Sequence, residues 1–171
     1  MNSLAPLMSS VRDSWNTPAN VLDLVRELGP IGLDPCGNAD SIVDAAEEWT
    51  LERDGDSLVR EWAPRGGQRG LIYVNPPYGR QIGAWVEKCR RASVHGGGEV
   101  VALVPSRTDT AWWNASCVPP QSDAVCFWRG RLTFLGAPHP APFPSAIVYW
   151  GARRFRFAEV FGTSGPVWVR T

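Results

Sequence analysis

The chain has 171 residues, 44% of them hydrophobic, which is about the size of one domain with a full core, and a second is not expected. Its 17 basic and 17 acidic side chains cancel, so overall charge gives no support to a sequence-blind nucleic-acid binder held mainly by phosphate contacts. No basic stretch followed by an apolar run opens the chain, and no uninterrupted apolar segment of about 18 residues is available to span a bilayer.

The neutral total hides an asymmetry. Residues 1–99 carry 10 basic against 14 acidic side chains, net −4, and residues 100–171 carry 7 against 3, net +4. A polyanion is therefore expected to meet the C-terminal half, although two solvated faces give the same split. Cys36, Cys89, Cys117 and Cys126 are scattered, with no C-x-x-C pair and no histidine cluster, so no metal site is expected and reduced cytoplasmic thiols are the reading. Nine tryptophans are many for this length, and several flank polar or basic residues, which marks some of them for a stacking surface rather than the core.

In chain order, residues 1–13 show no periodicity and read as a loose arm. Thr17-Pro18 has helix-start chemistry, and Val21, Leu22, Leu24, Val25 and Leu28 form an apolar stripe that stops at Gly29-Pro30. Ile31 to Leu33 reads as a short buried strand ended by Asp34-Pro35, with residues 36–41 as its crest loop. A weaker strand is expected over 48–51, then an acidic loop with Glu52, Asp54 and Asp56, and a turn at Gly66-Gly67. Leu71 to Val74 is the clearest buried strand, and it runs directly into Asn75-Pro76-Pro77-Tyr78. Ile82, Trp85, Val86 and Cys89 fall on one helical face. A strand follows at 100–104, a helix at 108–115, and a strand at 124–128 that would pair with 131–134 across Gly130. A proline-rich loop at 137–144, a closing strand at 146–150 and an apolar-aromatic tail at 155–169 complete the chain. This alternation predicts a single α/β domain, residues 1–171, built on a doubly wound, mostly parallel sheet with an antiparallel strand near the C-terminus. Ligands of such sheets bind at the carboxyl ends of the strands.

The Asn75 to Tyr78 turn carries the chemistry. An exocyclic amine on an aromatic ring is a poor nucleophile, because its lone pair is delocalised. Transfer to it needs acceptors for both N–H bonds that push electron density back onto nitrogen. The Asn75 side-chain oxygen and the Pro76 carbonyl are placed to be those acceptors, Pro76 and Pro77 limit φ and remove competing donors, and Tyr78 would stack on the ring. An ordinary strand-ending turn uses the same residue types. Asp34-Pro35-Cys36-Gly37 has related logic, an acid at a strand end ahead of a permissive loop, suited to a cofactor's amino-acid portion.

The ordered set Trp15-x-Thr17-Pro18, Leu33-Asp34-Pro35-Cys36, Asp56-Ser57-Leu58 with Trp62, Asn75-Pro76-Pro77-Tyr78, Thr108-Asp109-Thr110-x-Trp112-Trp113, Gly130-Arg131-Leu132-x-Phe134 and Ser145-Ala146 resembles the phage-type Dam-like DNA N6-adenine methyltransferases over residues 15–150. The resemblance implies a Rossmann-like methyltransferase sheet, S-adenosylmethionine as methyl donor, and adenine in DNA as acceptor, flipped out of the duplex. It implies that Trp15, Thr17 and Pro18 help close the cofactor site, that Asp34, with Pro35 and Cys36, faces the cofactor's methionine end, and that Asp56 or its neighbour Asp54 lies by the ribose or adenine. The acidic N-terminal half suits a cationic sulfonium. The glycine-rich F-x-G-x-G loop of many adenine methyltransferases is absent, so residues 36–41 would hold the cofactor differently.

Arg107, Asp109, Trp112 and Trp113 follow the neighbouring strand, where they would meet DNA or the flipped base. Packing is the alternative, and for the two tryptophans one core and one exposed position is expected. Arg129 and Arg131 flank a tight turn and are candidates for phosphate contact or plain solvation. The 137–144 loop is a target-recognition element or a stiff connector, and His95 and His139 receive no role. The same turn suits cytosine, RNA or a protein glutamine, and a non-catalytic nucleic-acid-binding protein would keep the fold. Small size predicts a short or relaxed sequence preference, in a monomer or homodimer, in the cytoplasm of a bacterium or phage-infected host and not at a membrane.

Overall fold

A computed structural model describes residues 15–62 and 70–171. The expected arm at 1–13 and the Gly66-Gly67 turn lie outside the described residues. The first helix, α1 (Ala19–Leu28), buries Val21, Leu22, Val25 and Leu28. Gly29 ends it, with its N–H donating to the Arg26 carbonyl. Its N-cap is Pro18, and no side chain caps it. Thr17, expected to open the helix, turns its hydroxyl inward to other partners.

The strands are β1 (Ile31–Asp34), β2 (Glu47–Glu48), β3 (Leu71–Val74), β4 (Val100–Pro105), β5 (Ala124–Phe127), β6 (Ser145–Trp150) and β7 (Val167–Val169). They form one sheet in the order β2-β1-β3-β4-β6-β5-β7. Parallel pairing joins β2, β1, β3 and β4, whereas β6 runs antiparallel to both β4 and β5, and β7 antiparallel to β5. Five strands thus point one way and two the other. The single antiparallel strand expected near the C-terminus is two.

Side-chain alternation sorts the core onto the two faces of the sheet. Tyr73, Val101, Leu103, Ile147 and Tyr149 meet α1 and α5 (Arg154–Phe161), which supplies Phe157, Val160 and Phe161. On the other face Ile72, Val74, Ala102, Val104 and Val148 meet Val86 and Cys89 of α3 (Ile82–Gly96) and Trp113 of α4 (Ala111–Ser116). With both faces covered, β3, β4 and β6 read as continuous apolar runs in the sequence. At the start of β1 and β3 the backbones touch: a Cβ on Gly70 would lie 2.7 Å from the Gly32 backbone. Only glycine at position 70 permits that approach.

Several expectations need correction. The strand placed at 48–51 is only Glu47–Glu48, because Thr50 accepts from the Arg53 N–H and starts α2 (Leu51–Asp54). Residues 131–134 do not pair with β5, whose two edges are taken by β6 and β7. Their alternation is real, with Leu132 and Phe134 buried, but the segment crosses over the core. It donates from Leu135 to the Asn16 carbonyl and accepts at Leu132 from Ala141. The apolar tail is α5 and β7. The helix at 108–115 starts three residues later. Five tryptophans, at 49, 62, 85, 113 and 150, are core. Among the described residues no helix is long and apolar enough to cross a membrane, and no group of three or more potential metal ligands occurs.

Candidate active site

The parallel strands deliver their carboxyl ends to one edge of the sheet: Asp34 from β1, Glu48 from β2, Asn75 after β3 and Ser106 after β4. Between the β1 and β3 ends lies a cavity of about 360 Å³. Trp15, Thr17, Asp34, Pro35, Cys36 and Asp56, all singled out in the sequence, line it, and the Asn75 to Tyr78 turn contributes Asn75 and Pro77. Pro18 and Asp54 do not line it. Asp54 is engaged elsewhere, accepting from the Thr50 N–H at 2.8 Å and pairing with Arg53 and Arg60. Asp56 caps the 3-10 turn Ser57–Val59 by accepting from the Leu58 N–H at 2.9 Å.

Asn75 is the best-defined group on the cavity wall. Its side-chain NH2 donates to the Trp15 carbonyl and, at 3.1 Å, to Thr17 Oγ1. Thr17 is buried and lies 2.8 Å from the buried Tyr73 hydroxyl. Both amide hydrogens are thereby used, while Asn75 Oδ1 is buried with no hydrogen-bond partner among the described residues. An amide oxygen left in that state costs free energy unless something fills the gap. The Cys36 thiol donates to the Asn75 main-chain carbonyl at 3.3 Å, and the Gly79 N–H donates to the Pro77 carbonyl at 3.0 Å. Desolvation holds the Cys36 thiol well above its ordinary range, so it stays protonated and able to donate.

Asp34 is 3% exposed and accepts from the Cys36 N–H at 3.0 Å. Burial pushes its carboxyl up to about 7, against the lowering effect of that backbone hydrogen bond and with help from the nearby charge of Glu48. A buried acid poised at neutral pH on a cavity floor is suited to a cationic ligand.

Tyr78 lies in an aromatic cluster outside the cavity lining. Its hydroxyl donates to the Leu103 carbonyl at 3.2 Å, and its ring meets Phe143 edge-on at 5.5 Å and Phe134 at 6.2 Å. Trp15 packs on both phenylalanines, at 5.0 and 5.6 Å. The 137–144 loop therefore brings Phe143 against Tyr78 of the proline turn, a contact its proline content did not disclose.

The expected substrate-side residues scatter more widely. Arg107 and Asp109 are exposed, 3.6 Å apart. Trp113 is core, and Trp112 is half-buried against α3, where a Cβ on Gly83 would come within 3.1 Å of it. Arg129 and Arg131 are exposed around Gly130, whose φ of 77° requires the left-handed region. Arg80, missed in the sequence, is exposed immediately after the turn. Asn16 and Asn38, also missed, line the cavity and join their amides at 2.7 Å. Their position inside or just after the Trp15 to Pro18 and Asp34 to Gly37 motifs was the available signal. The edge is thus acidic beside β1 and β2, and basic beyond β3.

An open α/β sheet whose carboxyl edge sets a buried acid next to an acceptor-presenting proline turn is consistent with a methyltransferase-like fold. The family model for DNA N-6-adenine-methyltransferase (Dam) matches residues 5–143, and the protein belongs to that family. No curated protein and no solved structure matches the chain.

Proposed function

We propose that the protein transfers a methyl group from S-adenosylmethionine to the N6 amine of adenine in DNA, with the base turned out of the duplex and the Asn75 to Tyr78 turn as catalytic element. The observation that carries this reading is Asn75 Oδ1, buried, without a partner among the described residues, and fixed by an NH2 whose hydrogens are both committed. It is an acceptor waiting for a donor. With the Asn75 and Pro77 carbonyls engaged by Cys36 and Gly79, the Pro76 carbonyl is the second acceptor for the amine. Both acceptors are neutral and weakly basic. They hold the two N–H bonds, raise electron density on nitrogen, and steer the departing proton without keeping it.

The cavity fits the cofactor: about 360 Å³ lies within the usual range for small-molecule sites. When bound, S-adenosylmethionine supplies an electrophilic methyl group on a sulfonium centre. Asp34 would hold its ammonium group, Trp15, Thr17, Pro35 and Cys36 would enclose its methionine end, and Asp56 would take the nucleoside end in preference to Asp54, which is already paired. Tyr78 would stack on the base once the aromatic cluster opens, since rings meeting edge-on at 5.5 Å leave no slot between them.

The decisive experiment incubates the protein with S-adenosylmethionine and unmethylated plasmid and quantifies modified nucleosides by mass spectrometry. N6-methyladenine is expected, at short or relaxed sites on mapping. Methylcytosine would change the base and keep the chemistry, and no transfer despite bound cofactor would sink the enzyme reading. Arg80, Arg107, Arg129 and Arg131 form the basic part of the edge and are proposed to meet the backbone phosphates. Neutralising Arg129 and Arg131 together is expected to weaken DNA binding about equally for all sequences and to lower the slope of log affinity against log salt by about 2. An unchanged slope in a salt titration by fluorescence anisotropy removes them from the interface.

A further inference from the structure

Tyr73 and Asn75 lie two residues apart on one strand and its continuation, so both side chains emerge on the α1 side of the sheet. Thr17, just ahead of α1, sits between them. Its Oγ1 accepts from the Asn75 NH2 at 3.1 Å and is 2.8 Å from the Tyr73 hydroxyl. Tyr73 is fully buried and has no place in the cavity lining. A polar hydroxyl in the apolar core, unnecessary for packing, is expensive unless its hydrogen bond matters.

An asparagine amide has two orientations related by a half-turn, and only one aims Oδ1 at a substrate amine. The Trp15 carbonyl accepts and cannot donate, so a flipped amide would set oxygen against oxygen there. Thr17 is less selective, because a hydroxyl answers either end of an amide. The Tyr73 hydroxyl removes that freedom by accepting the Thr17 hydrogen, which leaves Oγ1 only lone pairs to offer the amide.

We propose that Tyr73 and Thr17 are positioning residues that hold the Asn75 amide in its acceptor-forward orientation. The inference rests on the reading that Asn75 Oδ1 accepts from the amine, and it adds two residues that work through Asn75 rather than on substrate. Tyr73→Phe deletes one oxygen that faces neither cofactor nor DNA. Loss of one hydrogen bond of this kind is expected to lower kcat about tenfold, with the KM for DNA and the cofactor dissociation constant unchanged. Thr17→Val is expected to lower kcat as well, and because Thr17 also lines the cavity its effect is read on the Asn75 amide rather than on turnover.

Exchange of the Asn75 side-chain amide protons, followed by NMR in the protein without cofactor or DNA, reads the orientation without any turnover. It is expected to quicken in Tyr73→Phe and Thr17→Val and to stay slow in Thr17→Ser. Native exchange, or a native kcat, in Tyr73→Phe overturns the proposal, as does equally quick exchange in Thr17→Ser and Thr17→Val. Full activity in Asn75→Ala overturns the underlying reading instead, a result separable from the other because the exchange measurement does not depend on turnover.

Discussion

Replacing Asn75 by alanine is expected to lower kcat for adenine methylation by about 10²- to 10³-fold, the usual penalty for removing one preorganised hydrogen-bond partner of the reacting group. The free protein should barely register the change. The substitution forfeits the bonds to Trp15 and Thr17, but it also removes a buried oxygen that has no partner. These two effects oppose each other, each on the order of 1–3 kcal/mol. Steady-state rates and thermal unfolding on the same preparation check both halves. A large fall in melting temperature alongside the lost activity would mean that Asn75 matters for the fold rather than the amine.

Asp34→Asn is expected to stabilise the protein without ligand at pH 8 while impairing it as a binder. A carboxyl raised to about 7 from its ordinary 3.8 disfavours folding when ionised. Its contribution is intact below about pH 4, declines as pH rises through the folded value near 7, and is fully lost above it. Roughly three pH units correspond to on the order of 4 kcal/mol. Glu48, the Cys36 thiol and the Tyr73 hydroxyl are neighbouring titratable groups, and none supplies a cation to offset the burial. Glu87 acts in the opposite sense, held down to about 2 by hydrogen bonds from Arg90 and Arg91, but it is solvent-screened and its effect falls at acid pH. Urea unfolding of the native protein should therefore show stability falling between pH 4 and 8, with that slope absent in Asp34→Asn. A cationic cofactor reverses the linkage: its affinity should rise about tenfold per pH unit below 7 and flatten above. In the variant it should be about 10- to 100-fold weaker, with no such dependence. A native protein with pH-independent affinity would show that Asp34 does not face the cofactor's charge.

The sheet was legible where its physics is local. Leu71 to Val74 and Val100 to Val104 are buried on both faces and so are apolar throughout, and the stripe of α1 has helical spacing. The second half was harder because its strands pair out of chain order. Nothing within residues 124–134 shows that β5 is flanked by strands 18 and 40 residues further on, and the local signal, a glycine between two short apolar stretches, favours a hairpin that does not form. The site was legible as a list of motifs and not as a set of bonds. Asp34, Cys36 and Asn75 could be named individually, but not the placement of the Cys36 thiol on the Asn75 carbonyl. Thr17 was read by its commonest local use, as a helix cap, and its contact with Tyr73, 56 residues away, overrode that use. Asp54 and Asp56 are equivalent in sequence, and the fold separates them by ion-pairing Asp54 and setting Asp56 in the cavity lining.

The Asn75 to Tyr78 turn is tied to residues 15–17. The Trp15 carbonyl holds the Asn75 amide, and the next residue, Asn16, bridges to Leu135, so three segments about 60 residues apart are stitched at one point. Closing such loops is entropically late, which makes the site one of the last parts of the molecule to become competent during folding. The converse holds in the native state. A local opening that lifts residues 15–17 from the core would release the amide without unfolding the sheet, because these residues belong to none of its strands. Loss of activity on heating should then precede loss of secondary structure, and ligands that seat Trp15 and Thr17 should bring the two transitions together.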